Sequence, residues 1–134
     1  MKKLIEIQGI GETYAAKLQE IGITTQEQLL EQGKTKTGRK KLAEGSGLSG
    51  KLILKWINRA DLARIKGIGE EYADLLEFSG VDTVPALARR NPQNLHAKIV
   101  AVNEERNLVR SLPAESQVTN WIEQAKALPR VIEY

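Results

Sequence analysis

The chain has 134 residues and no cysteine, so it forms one compact domain or two very small ones, without disulfides, thiolate metal sites or a cysteine nucleophile. Hydrophobic residues make up 41% and aromatics only 4%, which leaves Leu, Ile, Val and Ala to fill the core. The net charge of +3 is uneven: residues 1–58 carry ten Lys/Arg against six Asp/Glu (+4), and residues 59–134 carry ten against eleven (−1), an asymmetry that can mark a face for an anionic partner.

In chain order, residues 1–7 look like the start of a leader until Glu6 and Gln8 interrupt them, and they read as a helix. Gly9-Ile10-Gly11 makes a tight turn whose glycines permit positive backbone dihedrals. A helix follows with Tyr14, Ala15 and Leu18 on one face, Gly22 at its C′ position and Thr25 as N-cap of the next. The run Lys34-Thr35-Lys36-Thr37-Gly38-Arg39-Lys40-Lys41 holds five cations and no acid. Helices over about 38–45 and 50–60 are split by the glycines of 45–50, and residues 58–61, free of Gly and Pro, predict a continuous or barely broken helical connection.

The second half opens on Gly67-Ile68-Gly69, with Tyr72, Ala73 and Leu76 at helical spacing, Gly80 at C′ and Thr83 as N-cap. Asn91-Pro92 is an N-cap followed by Pro at N1 of a helix running to about Asn107. Pro113 opens the last helix, on which Val118, Trp121, Ile122, Ala125 and Leu128 share a face, and Pro129 stops it. Val131-Ile132-Glu133-Tyr134 is too short and isolated for a strand; the core and a partner are both open to it as docking surfaces. No apolar run approaches the roughly 20 residues of a membrane span, so the expectation is a cytoplasmic protein with no membrane partner.

These elements form a repeat. LIEIQGIGETYAAKLQEIGITTQEQL from Leu4 aligns without a gap on LARIKGIGEEYADLLEFSGVDTVPAL from Leu62, an offset of 58. Trp56 and Trp121 align at 65, so the second copy holds about seven extra residues between its anchors. Ile10 and Ile68 are expected to plug the core from within their turns, and Ala15 and Ala73 to sit where helices cross closely. Trp56 and Trp121 are expected as core anchors, with Tyr14 and Tyr72 half-buried.

The pattern apolar-x-x-apolar-x-Gly-apolar-Gly-x-x-x-Ala-x-x-Leu, at 4–18 and 62–76, resembles the helix–hairpin–helix superfamily. Over nearly the whole chain, GRKKLAEGSGLSGKLILKWINRADLARIKGIGEEYADLLEFSGVDTVPALA with NPQNLHAKIVAVNE is similar to the family catalogued as domain of unknown function 4332. The resemblance implies an all-α fold of tandem duplicated helix–hairpin–helix units. That makes about ten short helices in one compact body, with a basic repeat over 1–60 packed against a near-neutral repeat over 61–134. It also implies DNA-backbone binding without sequence readout, or protein binding, since the superfamily does both.

The physics of a hairpin explains the first role: unpaired N–H groups and the positive end of a helix dipole converge on one point. The two best-matching hairpins compromise it, because Gly9-Ile10-Gly11 leads into Glu12 and Gly67-Ile68-Gly69 into Glu70 and Glu71, acids that already satisfy the dipole. A third, degenerate hairpin, Gly47-Leu48-Ser49-Gly50-Lys51, has no acid in the following turns and has Lys55 one turn beyond Lys51, flanked upstream by Lys36, Arg39, Lys40 and Lys41. Its counterpart, Ser111-Leu112-Pro113-Ala114-Glu115, has no glycine, a Pro and an acid. For each hairpin the alternative to phosphate binding is a turn kept for packing, and for the cations a solvated face.

His96 stands alone, Glu70-Glu71 with Asp74 and Glu104-Glu105 read as helix-surface charge, and no nucleophile–base set can be built. The expectation is a non-enzymatic monomer without cofactor or metal, whose partner is duplex or single-stranded DNA. The alternative is a protein-interaction module that keeps the fold without a phosphate site.

Overall fold

The computed structural model describes residues 3–7 and 10–134. Within them the chain is all-helical, with eight α-helices, no strand and one isolated antiparallel bridge between Lys3 and Thr25. It divides into two compact units, Met1–Asp61 with Val131–Tyr134, and Leu62–Arg130.

The first unit contains a 3-10 turn (Leu4–Glu6), α1 (Glu12–Glu20), α2 (Gln26–Gly33), α3 (Lys36–Ser46) and α4 (Gly50–Leu62), which runs through 58–61 as the absence of Gly and Pro there predicts. The second contains α5 (Glu70–Phe78), α6 (Val84–Ala88), α7 (Pro92–Arg106) and α8 (Glu115–Ala127).

Among the described residues eight α-helices stand where about ten helices are expected, because the lead-in segments form 3-10-type turns and no α-helix of their own. Ile7 N–H donates to the Leu4 carbonyl at 2.9 Å and Ile10 N–H to that of Ile7 at 3.0 Å; Ile65 to Leu62 (3.0 Å) and Ile68 to Ile65 (3.3 Å) repeat the pattern. Apolar residues at every third position are buried by such turns, and segments this short do not repay helix nucleation.

The helix ends follow from single residues. Thr25 and Thr83 cap α2 and α6 by accepting the N–H of Gln28 (3.1 Å) and Ala86 (3.3 Å). Thr35 caps α3 through Gly38 N–H at 3.0 Å, so the helix starts at Lys36, two residues before the expected position, and takes in every cation of the run except Lys34. Asn91 caps α7 with Pro92 behind it, as the sequence implies. Helices α1 and α5 end alike: Gly22 N–H meets Gln19 O and Ile23 N–H meets Leu18 O, while Gly80 meets Glu77 and Val81 meets Leu76. This closure needs a left-handed residue, and the φ values are 87° and 91°. Pro113 does not open α8. Ala114 is its N-cap, with its N–H held by Gln117 Oε1 at 2.9 Å, while Pro113 is buried before the helix.

Helix boundaries locate the seven extra residues of the second copy. Helix α6 is shorter than α2, so the offset of 58 between Thr25 and Thr83 falls to 56 between Thr35 and Asn91. The longer α7 raises it to 60 at the left-handed residues Gly47 and Asn107, and a longer turn before α8 raises it to 65.

Each unit has its own core. Leu4, Ile7, Ile10, Leu18, Leu29, Ile53, Trp56 and Ile57 anchor the first, together with Ile132. Leu62, Ile65, Ile68, Leu76, Leu87, Leu95, Ile99, Val118 and Trp121 anchor the second. Each fully buried aliphatic side chain contributes roughly 1.5–3 kcal/mol. Both tryptophans are core anchors, and each half-buried tyrosine packs on one of them: Tyr14 and Trp56 have ring centroids 5.2 Å apart at 51°, Tyr72 and Trp121 5.3 Å apart at 52°.

Candidate nucleic-acid interface

Of the two best-matching hairpins, the first retains Ile10 and Gly11; Gly9 lies outside the described residues. Ile10 and Ile68 are both buried. Gly11 and Gly69 occupy the N-cap positions of α1 and α5 with φ of −86° and −92°. These are extended values open to any residue, so among the described motif glycines the expected positive dihedral is taken by Gly67 alone, at φ 99°. Glu12 sits in the first turn of α1, and Glu70 and Glu71 in that of α5, all three exposed. The second hairpin is also pinned from outside: Lys66 N–H donates to Gln124 Oε1 at 2.9 Å, and Gln124 Nε2 donates to the Lys66 carbonyl at 3.0 Å.

The third hairpin joins α3 to α4. Gly47 closes α3 in the left-handed conformation, with φ 75° and its N–H on the Ala43 carbonyl at 2.9 Å. Leu48 is buried, and its N–H meets Ser46 Oγ at 3.2 Å. Ser49 Oγ accepts the Leu52 N–H at 3.2 Å, which makes Ser49 the cap of α4. Gly50 and Lys51, both exposed, open the helix with no acid in its first turn, where backbone N–H groups lack intrahelical acceptors. Lys51 and Lys55 lie four residues apart on the exposed face of α4, as Lys36 and Lys40 do on α3. Lys41, also exposed, borders an open depression shared with Gly22, Gly38 and Gly45.

Arg39 departs from its neighbours. Its Nη1 donates to the Gly33 carbonyl at 2.9 Å and its Nη2 to the Glu133 carbonyl at 2.7 Å, and its guanidinium lies 5.8 Å from the Tyr134 ring centroid. Lys34, the fifth cation of the run, is paired with Glu31 at 2.8 Å. That hydrogen bond, the Glu31 charge and the more distant Glu133 charge hold its ammonium above the ordinary lysine range.

The counterpart turn before α8 is differently occupied. The Ser111 carbonyl accepts the Tyr72 hydroxyl at 3.1 Å, and the Pro113 carbonyl lies 3.0 Å from His96 Nε2. Two pairs in the second unit carry no signal in the sequence: the Gln124 clamp, and Phe78, exposed at the end of α5 with the Arg106 guanidinium 4.2 Å from its ring centroid. Among the described residues no three His, Cys, Asp or Glu side chains gather to hold a metal, and no helix is long and apolar enough to cross a membrane.

No solved structure matches the chain. A family model described as Domain of unknown function (DUF4332) matches residues 8–128, nearly the whole length of both units. On that match the chain belongs to the DUF4332 family.

Proposed function

We propose that the chain is a tandem helix–hairpin–helix protein that binds nucleic-acid backbones, DNA first, without reading sequence, and that the α3–α4 hairpin of the first unit binds the phosphates. One observation carries the reading: the α4 N-terminus has first-turn donors at Gly50 and Lys51, no acid and the exposed Lys51 and Lys55, and α3 adds the exposed Lys36, Lys40 and Lys41. Backbone donors at a helix start with lysines beside them suit a phosphate, and such interactions position a protein without specifying bases. Gly11, Gly67 and Gly69 then belong to hairpins kept for packing, their helix starts already satisfied by Glu12, Glu70 and Glu71. The reading requires binding and no catalysis.

Replacing Lys40, Lys41 and Lys51 by Glu is expected to abolish binding of a labelled duplex at low salt. The wild-type log–log salt slope should be negative, near −0.9 for each phosphate neutralised. A wild-type chain with no affinity for duplex or single-stranded DNA at low salt would overturn the reading.

The acidic first turns of α1 and α5 and the −1 balance of residues 59–134 favour a second reading, a protein-interaction module. A stable protein partner that survives nuclease treatment, and is retained by the triple Glu variant, would select it.

A further inference from the structure

Val131–Tyr134 belongs to the first unit, against the corner where α2 gives way to α3. Glu133 N–H donates to the Lys34 carbonyl at 2.7 Å, and the Glu133 carbonyl accepts Arg39 Nη2 at 2.7 Å. Ile132 is buried in the first core. The Tyr134 hydroxyl donates to Asn58 Oδ1 at 2.9 Å, and the ring lies by the Arg39 guanidinium. The corner is thus a formed peptide seat, with one carbonyl acceptor, one guanidinium fork, an apolar socket and an aromatic position.

The same corner begins the basic run of the first unit. Lys34 and Arg39 are two of its five cations, and the segment takes Arg39 through a backbone carbonyl while bringing the Glu133 charge to bear on Lys34. The segment holds Arg39 Nη2 through a neutral carbonyl, while Nη1 rests on the Gly33 carbonyl of α2; a phosphate oxygen is the stronger acceptor for Nη2 because it is charged.

We propose that this corner is a two-ligand site: it holds Val131–Tyr134 when closed and a backbone phosphate of a nucleic acid when open, so that the segment sets the affinity of the basic face. This rests on the nucleic-acid reading above. The Glu133 carbonyl and a phosphate compete for Arg39 Nη2, so the measured affinity is the affinity of the open form reduced by the fraction of molecules that are open. The nucleic acid in turn favours the open form by its differential affinity for it.

The test is a titration of the full chain with a fluorescein-labelled duplex, followed by anisotropy, with amide exchange of Glu133 measured in parallel. Tyr134→Ala removes the bond to Asn58 and the ring beside Arg39 without changing charge, and is expected to tighten binding about five- to tenfold. Asn58→Ala releases the same bond from the seat side and is expected to tighten binding in the same direction, which keeps the test valid if one variant folds poorly. Adding Arg39→Gln to Tyr134→Ala should remove the gain. In the wild type, saturating duplex should speed exchange of the Glu133 amide and leave that of Trp56 unchanged. Unchanged affinity in both single variants, with Glu133 still protected at saturation, overturns the two-ligand site and leaves the nucleic-acid reading standing. Absence of binding by every variant at low salt overturns that reading and this inference with it.

Discussion

Gly67 lies against Trp121 so closely that a Cβ at position 67 would stand 3.0 Å from the indole Nε1. The backbone there is also left-handed, at φ 99°. A side chain at this point would have to strain the turn and displace a core tryptophan at once. Gly67→Ala is expected to destabilise the second unit by about 2–4 kcal/mol, from the positive φ and from overpacking. A fall in the urea midpoint followed through tryptophan fluorescence checks it, and a change under about half a kcal/mol would contradict that packing.

Gly11 and Gly69 should behave in the opposite way. Both have extended backbone, and nothing lies within 4 Å of a Cβ built on either. Gly11→Ala and Gly69→Ala are expected to change stability by no more than about 0.5–1 kcal/mol, since only N-cap preference is altered. Thermal melts decide this. Duplex titrations of the same variants show whether either hairpin approaches a ligand closely, which the proposed function assigns to 47–51 instead.

The two tyrosine–tryptophan pairs have nearly the same separation and tilt in the two units. Tyr14→Leu and Tyr72→Leu are therefore expected to cost similar amounts, about 0.5–1.5 kcal/mol each beyond the change in buried area. Tyr72→Leu should cost somewhat more, because its hydroxyl also donates to the Ser111 carbonyl. Denaturant unfolding of each variant, and of Tyr72→Phe to isolate the hydroxyl, measures the difference.

Charge changes should separate the units. Lys51→Gln with Lys55→Gln is expected to lower the steepness of the salt dependence by about 1–2 in the log–log slope, roughly one for each phosphate no longer neutralised. Lys66→Gln, at the pinned second hairpin, should leave it unchanged. Equal reductions in both variants would remove the assignment of binding to the first unit.

Helix ends and core faces were legible in the residues because they depend on neighbours a few positions apart. Thr25, Thr83 and Asn91 cap the helices they precede, Gly22 and Gly80 close α1 and α5, and the repeated Leu, Ile, Ala and Trp positions are buried in both copies. Local rules failed where a competing residue lay within reach. Thr35 starts α3 two residues before the expected position, and Gln117 lets Ala114 cap α8 in place of Pro113.

The site was only half legible for a different reason. Charge and glycine content pick out Lys36, Lys40, Lys41 and 47–51, all of which the fold leaves at or near the surface except Leu48. Charge alone cannot distinguish Arg39 from the lysines around it. Its carbonyl partner Glu133 is 94 positions away, as Tyr134 is 76 positions from Asn58 and Gln124 is 58 from Lys66. The amino-acid sequence by itself determined the duplication, the all-helical class and most of the residues that bury, because those follow from spacing and capping along the chain. Only the tertiary structure decided which cations stay exposed and which glycine must be one, because those depend on groups that folding brings together from distant parts of the chain.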